Sequence, residues 1–317
     1  IGVGFAGAMM VAMVADALLG WPNRLFARIG HPVTWLGRLI AVLDARWNRE
    51  TDASSLRRAA GIAAALFVIA LAAGIGWIVQ YVIPLSWAGM VLLGLLAWPF
   101  VAFRSLYDHV AAVRDPLRAG DIGAARKKVA MIVGRDPNQL DEAGIARAAI
   151  ESLAENASDG VVAPVFWGVL LGLPGIIGYK AVNTLDSMIG HRTARHRAFG
   201  WAAARIDDIA NFVPARLTGL LFVALAGSAR RSDAMSCIRV DARHHRSINA
   251  GWPEAAMAGA LGVRLCGPRS YGGETADEPW LNATARDPAA IDITRALETY
   301  VGAMFALTLL LVVLAIV

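Results

Sequence analysis

Long apolar runs alternate with polar stretches along this chain, and the runs are of two kinds. Residues 1–19, 59–83, 85–103 and 299–317 are nearly unbroken. Each approaches the roughly 20 residues an α-helix needs to cross a bilayer. Residues 161–178 and 209–227 are interrupted, the first by Pro164, Gly168, Gly172, Pro174 and Gly175, the second by Pro214 and Arg216. The polar regions are 20–58, 104–160, 179–208 and 228–298. In the first of these, Leu36, Leu39, Ile40 and Leu43 recur at helical spacing, which predicts an amphipathic helix over 33–47 at the membrane face. In the second, Asp136 as N-cap, Pro137 at the first helical position and Gln139 in a capping box mark a helix start. Ile145, Ala149 and Leu153 form its apolar face, and Arg147 with Glu151 is an i,i+4 pair. Tyr179–Gly190 predicts a short helix, Pro253 with Glu254 the start of another, and Gly267–Glu274 a glycine-rich loop. The pattern predicts an all-α, polytopic integral membrane fold in one embedded domain, with broken or re-entrant segments and cytoplasmic helical loops.

Charge placement sharpens the topology. Arg57 and Arg58 precede the paired runs 59–83 and 85–103, and Arg104 follows them. By the positive-inside rule this pair is a hairpin with both flanks cytoplasmic. Arg126, Lys127, Lys128, Arg135 and Arg147 precede 161–178, and Arg192, Arg195, Arg197 and Arg205 follow it. A simple crossing would put one of these groups on the wrong side, hence the re-entrant reading. The first run has no basic n-region and reads as a retained span. Only 17% of the 317 residues are charged, against about 25% in a soluble domain, and 57% are apolar. Mean hydropathy is +0.52. The formal net charge of +5 fits cytoplasmic loops of an inner-membrane protein or an anionic substrate. Cys237 and Cys266 lack metal-ligand spacing and read as free thiols in a reducing compartment. His244 and His245 are adjacent, so they point to different helix faces and make a poor metal pair. There is no P-loop, no GxSxG and no nucleic-acid motif.

The polar residues between 151 and 211 carry the candidate chemistry, because charge beside hydrocarbon is costly unless paired, metal-bound or facing water. Glu151, Glu155 and Asp159 are four apart, on one face if their helix continues, although Asn156 and Gly160 suggest that it ends. Like charges at i,i+4 repel, and a bound cation would relieve them; neutralisation by Arg147 and other cations is the competing account. Lys180, Asn183 and Ser187 share a helix face, with Asp186 alongside. Lys180 is either a phosphate contact or a snorkelling lysine. Asp207 and Asp208 lie one turn before Asn211, and Asp208 pairs by spacing with Arg205. Three acid-plus-Asn groups around one broken apolar segment suggest carboxylates converging on a metal–phosphate complex. Arg192, Arg195, Arg197, Arg205 and Arg216 are either substrate cations or a positive-inside flank.

The blocks at 140–167 (LDEAGIARAAIESLAENASDGVVAPVFW), 179–192 (YKAVNTLDSMIGHR), 199–221 (FGWAAARIDDIANFVPARLTGLL) and 249–265 (NAGWPEAAMAGALGVRL), with HPVTWLGRLI at 31–40, closely resemble the adenosylcobinamide-phosphate synthase family of cobalamin biosynthesis. That family is in turn distantly similar to an inner-membrane sensor of β-lactamase regulation. The resemblance implies an integral membrane ligase that joins adenosylcobyric acid to (R)-1-amino-2-propanol phosphate, or a threonine-phosphate analogue, using ATP and Mg²⁺. Two positions depart from its pattern: Ile248 where proline is expected and Cys266 where glycine is expected. On this reading Glu151, Glu155, Asp159, Asp207 and Asp208 serve Mg²⁺ or accept a proton from the amine. The metal set is Glu151, Glu155, Asp159 and Asp208. Lys180, Arg192 and Arg205 meet phosphate, and Asn156, Asn183, Asp186 and Asn211 orient substrate or complete the metal shell. Trp167, Trp201 and Trp252 either contact the corrin or anchor the interface. The expected partners are the corrinoid, the amino-alcohol phosphate and the bilayer, with homo-oligomerisation allowed for and nucleic acid excluded. The expected location is the inner membrane, with the site facing the cytoplasm. An intramembrane prenyltransferase-like enzyme and a non-enzymatic membrane sensor or transporter are the alternatives.

Overall fold

A computed structural model describes residues 2–22, 27–28, 30–84, 86–133, 137–271, 274–276 and 278–316, with backbone alone at 2–4, 138, 269–271 and 274–276. Helices dominate. The first four are α1 (Gly2–Leu19), α2 (Pro32–Trp47), α3 (Ser54–Val82) and α4 (Trp87–Ala97). They are followed by α5 (Phe103–Arg118), α6 (Ile122–Val129) and α7 (Glu142–Ala157). A π-helical turn, Ser158–Val162, leads into α8 (Ala163–Leu171), α9 (Leu173–Ile189), the short α10 (His196–Phe199) and α11 (Trp201–Ala210). The chain continues through α12 (Phe212–Leu225), α13 (Arg231–Asp241), α14 (Gly251–Leu261) and the last helix, α15 (Ala290–Ile316). Two small antiparallel ladders lie before α15, one pairing Leu265 with Leu281 and Cys266 with Trp280, the other Ser270 with Thr275. The stretch expected as a glycine-rich loop is therefore partly a hairpin; Gly272 and Gly273 lie outside the described residues.

The protein is a polytopic helical membrane protein. Among the described residues, α3, the combined stretch Trp87–Arg118 and α15 are long and apolar enough to cross a bilayer, and α11 with α12 makes a fourth if taken as one span. The apolar part of α1, Phe5–Leu19, is shorter. Leu66, Phe67, Ile75, Trp77 and Ile78 of α3 are exposed, as side chains facing lipid are.

Three helix boundaries differ from the sequence expectation. The helix carrying Glu151 starts at Glu142, with Asp141 as N-cap accepting from the Gly144 N–H at 2.7 Å; Asp136 lies outside the described residues, and Pro137–Gln139 forms a single 3₁₀ turn. That helix does not stop at Asn156–Gly160 but passes through the π turn into α8, a device that inserts one residue without ending the helix. The helix expected to begin at Tyr179 begins at Leu173, because Pro174 occupies its first turn, where a missing N–H costs nothing.

The chain divides into two compact units: 1–102, 163–211 and 310–317 form the first, and 103–162 with 212–309 form the second. In the first, α9 lies along α3. Small residues permit it: a Cβ at Gly76 would meet the Leu173 carbonyl carbon at 2.9 Å, and one at Gly178 would touch Ala73. Ala65, Val68 and Ala72 of α3 bury with Ala181, Leu185 and Ile189 of α9 and with Phe199 and Ala203. The break before α9 is built for its place. Gly172 has φ +71°, in the left-handed region, and Gln80 Oε1 accepts the Leu173 N–H at 2.8 Å, supplying a cap that the helix lacks locally. In the second unit α14 is buried almost all round, packed by α12 and α13. A Cβ at Gly259 would overlap the Ala234 backbone, which is how α13 comes so close.

Candidate functional site

The C-terminal half of α9 presents Lys180, Asn183 and Asp186 on one face, all half-buried. Lys180 Nζ donates to Asn183 Oδ1 at 3.5 Å. The Lys180 charge also reaches His31, the N-cap of α2, whose imidazole is held below its usual pKa by burial and by that charge. One turn on, Asp186 sits beside His191 of the following turn and beside Arg205 and Asp208 of α11. Burial pushes the Asp186 carboxyl up; Asp208 adds to the rise, while His191 and Arg205 oppose it. Arg205 Nη1 pairs with Asp208 Oδ2 at 2.9 Å, as their spacing predicted. Arg192 lies exposed in the same turn as His191.

Backbone packing sets this constellation. Gly200 lets the chain entering α11 press against the Ile189 carbonyl at the end of α9; any Cβ there would overlap it. Gly190 does the same for the carboxyl of Asp186, whose Oδ1 occupies the space a Cβ would fill. Nearby, Tyr179 Oη donates to Asn211 Oδ1 at 2.8 Å and Asn211 Nδ2 donates to Asp207 Oδ2 at 3.0 Å. Asn211 is buried, so its amide ties α9 to the end of α11. Trp167 Nε1 donates to the Ala210 carbonyl at 3.1 Å, and its ring lines an apolar cavity of about 320 Å³ with Ile69, Tyr179 and Ile206.

The second unit holds the other acids, and they diverge. Glu151 is buried, and its Oε1 accepts the Cys266 N–H at 2.7 Å. Glu155 and Asn156 are exposed, and Asp159 is half-buried in the π turn. The expected common face is thus split, because α7 is embedded along one side and the π turn shifts the phase after Ala157. Arg147, expected beside Glu151, forms a close ion pair with Asp287 instead. Arg264 joins them at 2.7 Å, and the two guanidinium groups also lie over the Trp280 ring. Hydrogen bonding by Arg264, with the Arg147 charge, outweighs desolvation and holds the Asp287 carboxyl down at about 2. Arg216 donates to Asn249 Oδ1 at 2.8 Å and lies near Trp252.

The acid and cation groups of 180–211 therefore meet within the first unit, and the group of 151–159 belongs to the second. His31 and His191, which precede Pro32 and Arg192, carry no sequence signal of their own. Position relative to α9 is what singles them out, and no local pattern encodes it.

Known proteins match along nearly the whole chain. The model of the family described as CobD/Cbib protein covers residues 9–300. A protein of Rhodobacter capsulatus named Cobalamin biosynthesis protein CobD is 59% identical over 312 residues, 98% of each chain. Proteins of the same name from Brucella suis and Sinorhizobium fredii are 47% and 46% identical, over 95% and 90% of this chain and 94% and 88% of their own. No solved structure matches. With a family match across that length and relatives this similar end to end, the chain belongs to the CobD/CbiB family of cobalamin biosynthesis proteins.

Proposed function

We propose that this chain forms an amide bond between adenosylcobyric acid and (R)-1-amino-2-propanol phosphate, or a threonine-phosphate analogue, consuming ATP at the cytoplasmic face of the inner membrane. The observation that carries the proposal is the pairing, on α9 and α11, of cations suited to anionic oxygens with two neighbouring carboxylates in a chain of this family. Asp186 and Asp208 fit a divalent ion: they are oxygen donors, and each other's charge is a penalty that a cation removes. Mg²⁺ held there would neutralise nucleotide phosphate oxygens.

The chemistry follows from the substrate. A free carboxylate is a poor acyl donor because oxide is its leaving group. Transfer of the terminal phosphoryl group of ATP to a carboxylate oxygen gives an acyl phosphate and ADP; amine attack at the carbonyl carbon then forms the C–N bond and expels phosphate. Lys180, oriented by Asn183, and Arg192 and Arg205 bind the anionic oxygens. Asp207, in the same unit as these cations, takes up the proton that the amine nitrogen loses. Glu151 stands inside, fixing the Cys266 loop.

The test is the purified protein in detergent with ATP, Mg²⁺, adenosylcobyric acid and the amino-alcohol phosphate, read by mass spectrometry. Amide product with stoichiometric ADP is expected. No product alongside an active control enzyme sinks the proposal, and turnover of a lipid diphosphate in its place would move the chain to the prenyltransferase class.

A further inference from the structure

Three side chains of different chemistry meet in the interior of the second unit. His245 follows a 3₁₀ turn after α13, Glu254 lies in the first turn of α14, and Cys266 ends the strand Leu265–Cys266. One nitrogen, one carboxylate oxygen and the sulfur lie within 4.8 Å of one another. Cys266 Sγ is 3.1 Å from Glu254 Oε2, and His245 Nε2 is 3.7 Å from the same oxygen. The His245 and Glu254 side chains are 5% and 3% exposed. Ligands at ordinary Zn–S, Zn–N and Zn–O lengths in a tetrahedron stand about 3.4–3.6 Å apart. The sulfur–oxygen and nitrogen–oxygen separations, 3.1 and 3.7 Å, fall on either side of that, and the sulfur–nitrogen separation is no more than 4.8 Å.

We propose that His245, Glu254 and Cys266 form a zinc site, with the fourth position left to water or a substrate group. The donor set selects the ion. A thiolate and an imidazole favour Zn²⁺ over Mg²⁺, which takes oxygen ligands. Charge favours it too: thiolate and carboxylate together carry −2, and a divalent ion makes the buried group neutral. On binding, the thiol gives its proton to solvent and the sulfur bonds the metal. The backbone is committed to the arrangement. Cys266 has φ +61°, a conformation that glycine adopts without strain and that a side chain adopts at a cost, and the Glu151 carboxylate holds its N–H. A side chain placed there at that cost points directly at Glu254. Nothing in this site depends on the ligase reading, and the two fail separately.

The full chain, expressed with zinc supplementation and purified in detergent, is assayed for metal by mass spectrometry. About one zinc per chain is expected, falling below about a tenth in Cys266→Gly and His245→Asn. Cys266→Gly relieves the backbone, so a folding defect does not explain its loss of metal. Cobalt substituted for zinc should give a near-ultraviolet sulfur-to-cobalt band that is absent in Cys266→Gly. Wild-type protein with less than about a tenth of an equivalent, both from supplemented cells and after reloading and desalting, overturns the site. Zinc retained undiminished in both variants overturns it as well.

Discussion

Acidic residues work in opposite ways in the two units. In the first, burial lifts the Asp186 carboxyl and the Asp208 charge adds to the rise, while Asp208 itself is paired with Arg205. In the second, Asp287 is gripped by Arg264 and Arg147 and its carboxyl falls to about 2. A carboxylate with its charge satisfied stabilises the fold; one that burial holds up gains from a ligand that brings positive charge. Glu151 shows that sequence spacing does not separate the cases. It shares a four-residue spacing with Glu155 and Asp159, yet it is an internal hydrogen-bond acceptor while Glu155 faces outward.

The largest effect should come from removing the Asp208 charge. Asp208→Asn is expected to lower amide formation by orders of magnitude while insertion, purification and helical circular dichroism stay normal; near-normal turnover would make the pair structural. The same logic predicts a trade-off at Asp186. Its folded pKa is raised, so ionisation costs stability that appears as pH rises from the unfolded value and is absent below it. Asp186→Asn should therefore melt higher than wild type at neutral pH, lose that advantage in acid, and turn over poorly. Gly190→Ala, which displaces the Asp186 carboxyl without altering charge, is expected to cost roughly tenfold in kcat with a smaller change in melting temperature.

The second unit should answer in stability. Glu151→Ala strands the Cys266 N–H in the interior and should destabilise by about 2 kcal/mol, read as a lower denaturation midpoint. The smallest effect is at Asp287. Its folded pKa is depressed, so its contribution is present above the ordinary carboxylate value and is lost as pH falls toward about 2. The group is partly exposed, 39%, so solvent screening keeps that contribution small. Asp287→Asn should unfold slightly more easily than wild type at neutral pH, and the two should converge in acid denaturation. A gap that stays undiminished as pH falls through about 2 would show that the guanidinium packing on Trp280, and not the charge, is what matters.

Much of the first unit was legible before any coordinates. Lys180, Asn183 and Asp186 share a face because 3.6 residues make a turn, and Arg205–Asp208 pair for the same reason. The break near Gly172 was readable from Gly and Pro. Its repair by Gln80, 93 positions away, was not. The second unit was harder. Arg147 found Asp287 across 140 positions, where Arg264 holds the same carboxylate in a bidentate grip, and no spacing rule points there. Cys266 and His245 lack metal-ligand spacing, a criterion that works only when one loop or helix supplies the whole set.

By itself the sequence determined the membrane class, the helical periodicity, the family and the local pairs, since these depend on hydropathy and on spacings within a few residues. Only the tertiary structure decided which carboxylates are inside, which acids meet, and that a histidine, a glutamate and a cysteine from three elements share one interior point. Burial and long-range contact arise from how helices pack, and close approaches at Gly190, Gly200 and Gly259 set that packing. A linear pattern carries the periods of its elements but not the distances between them.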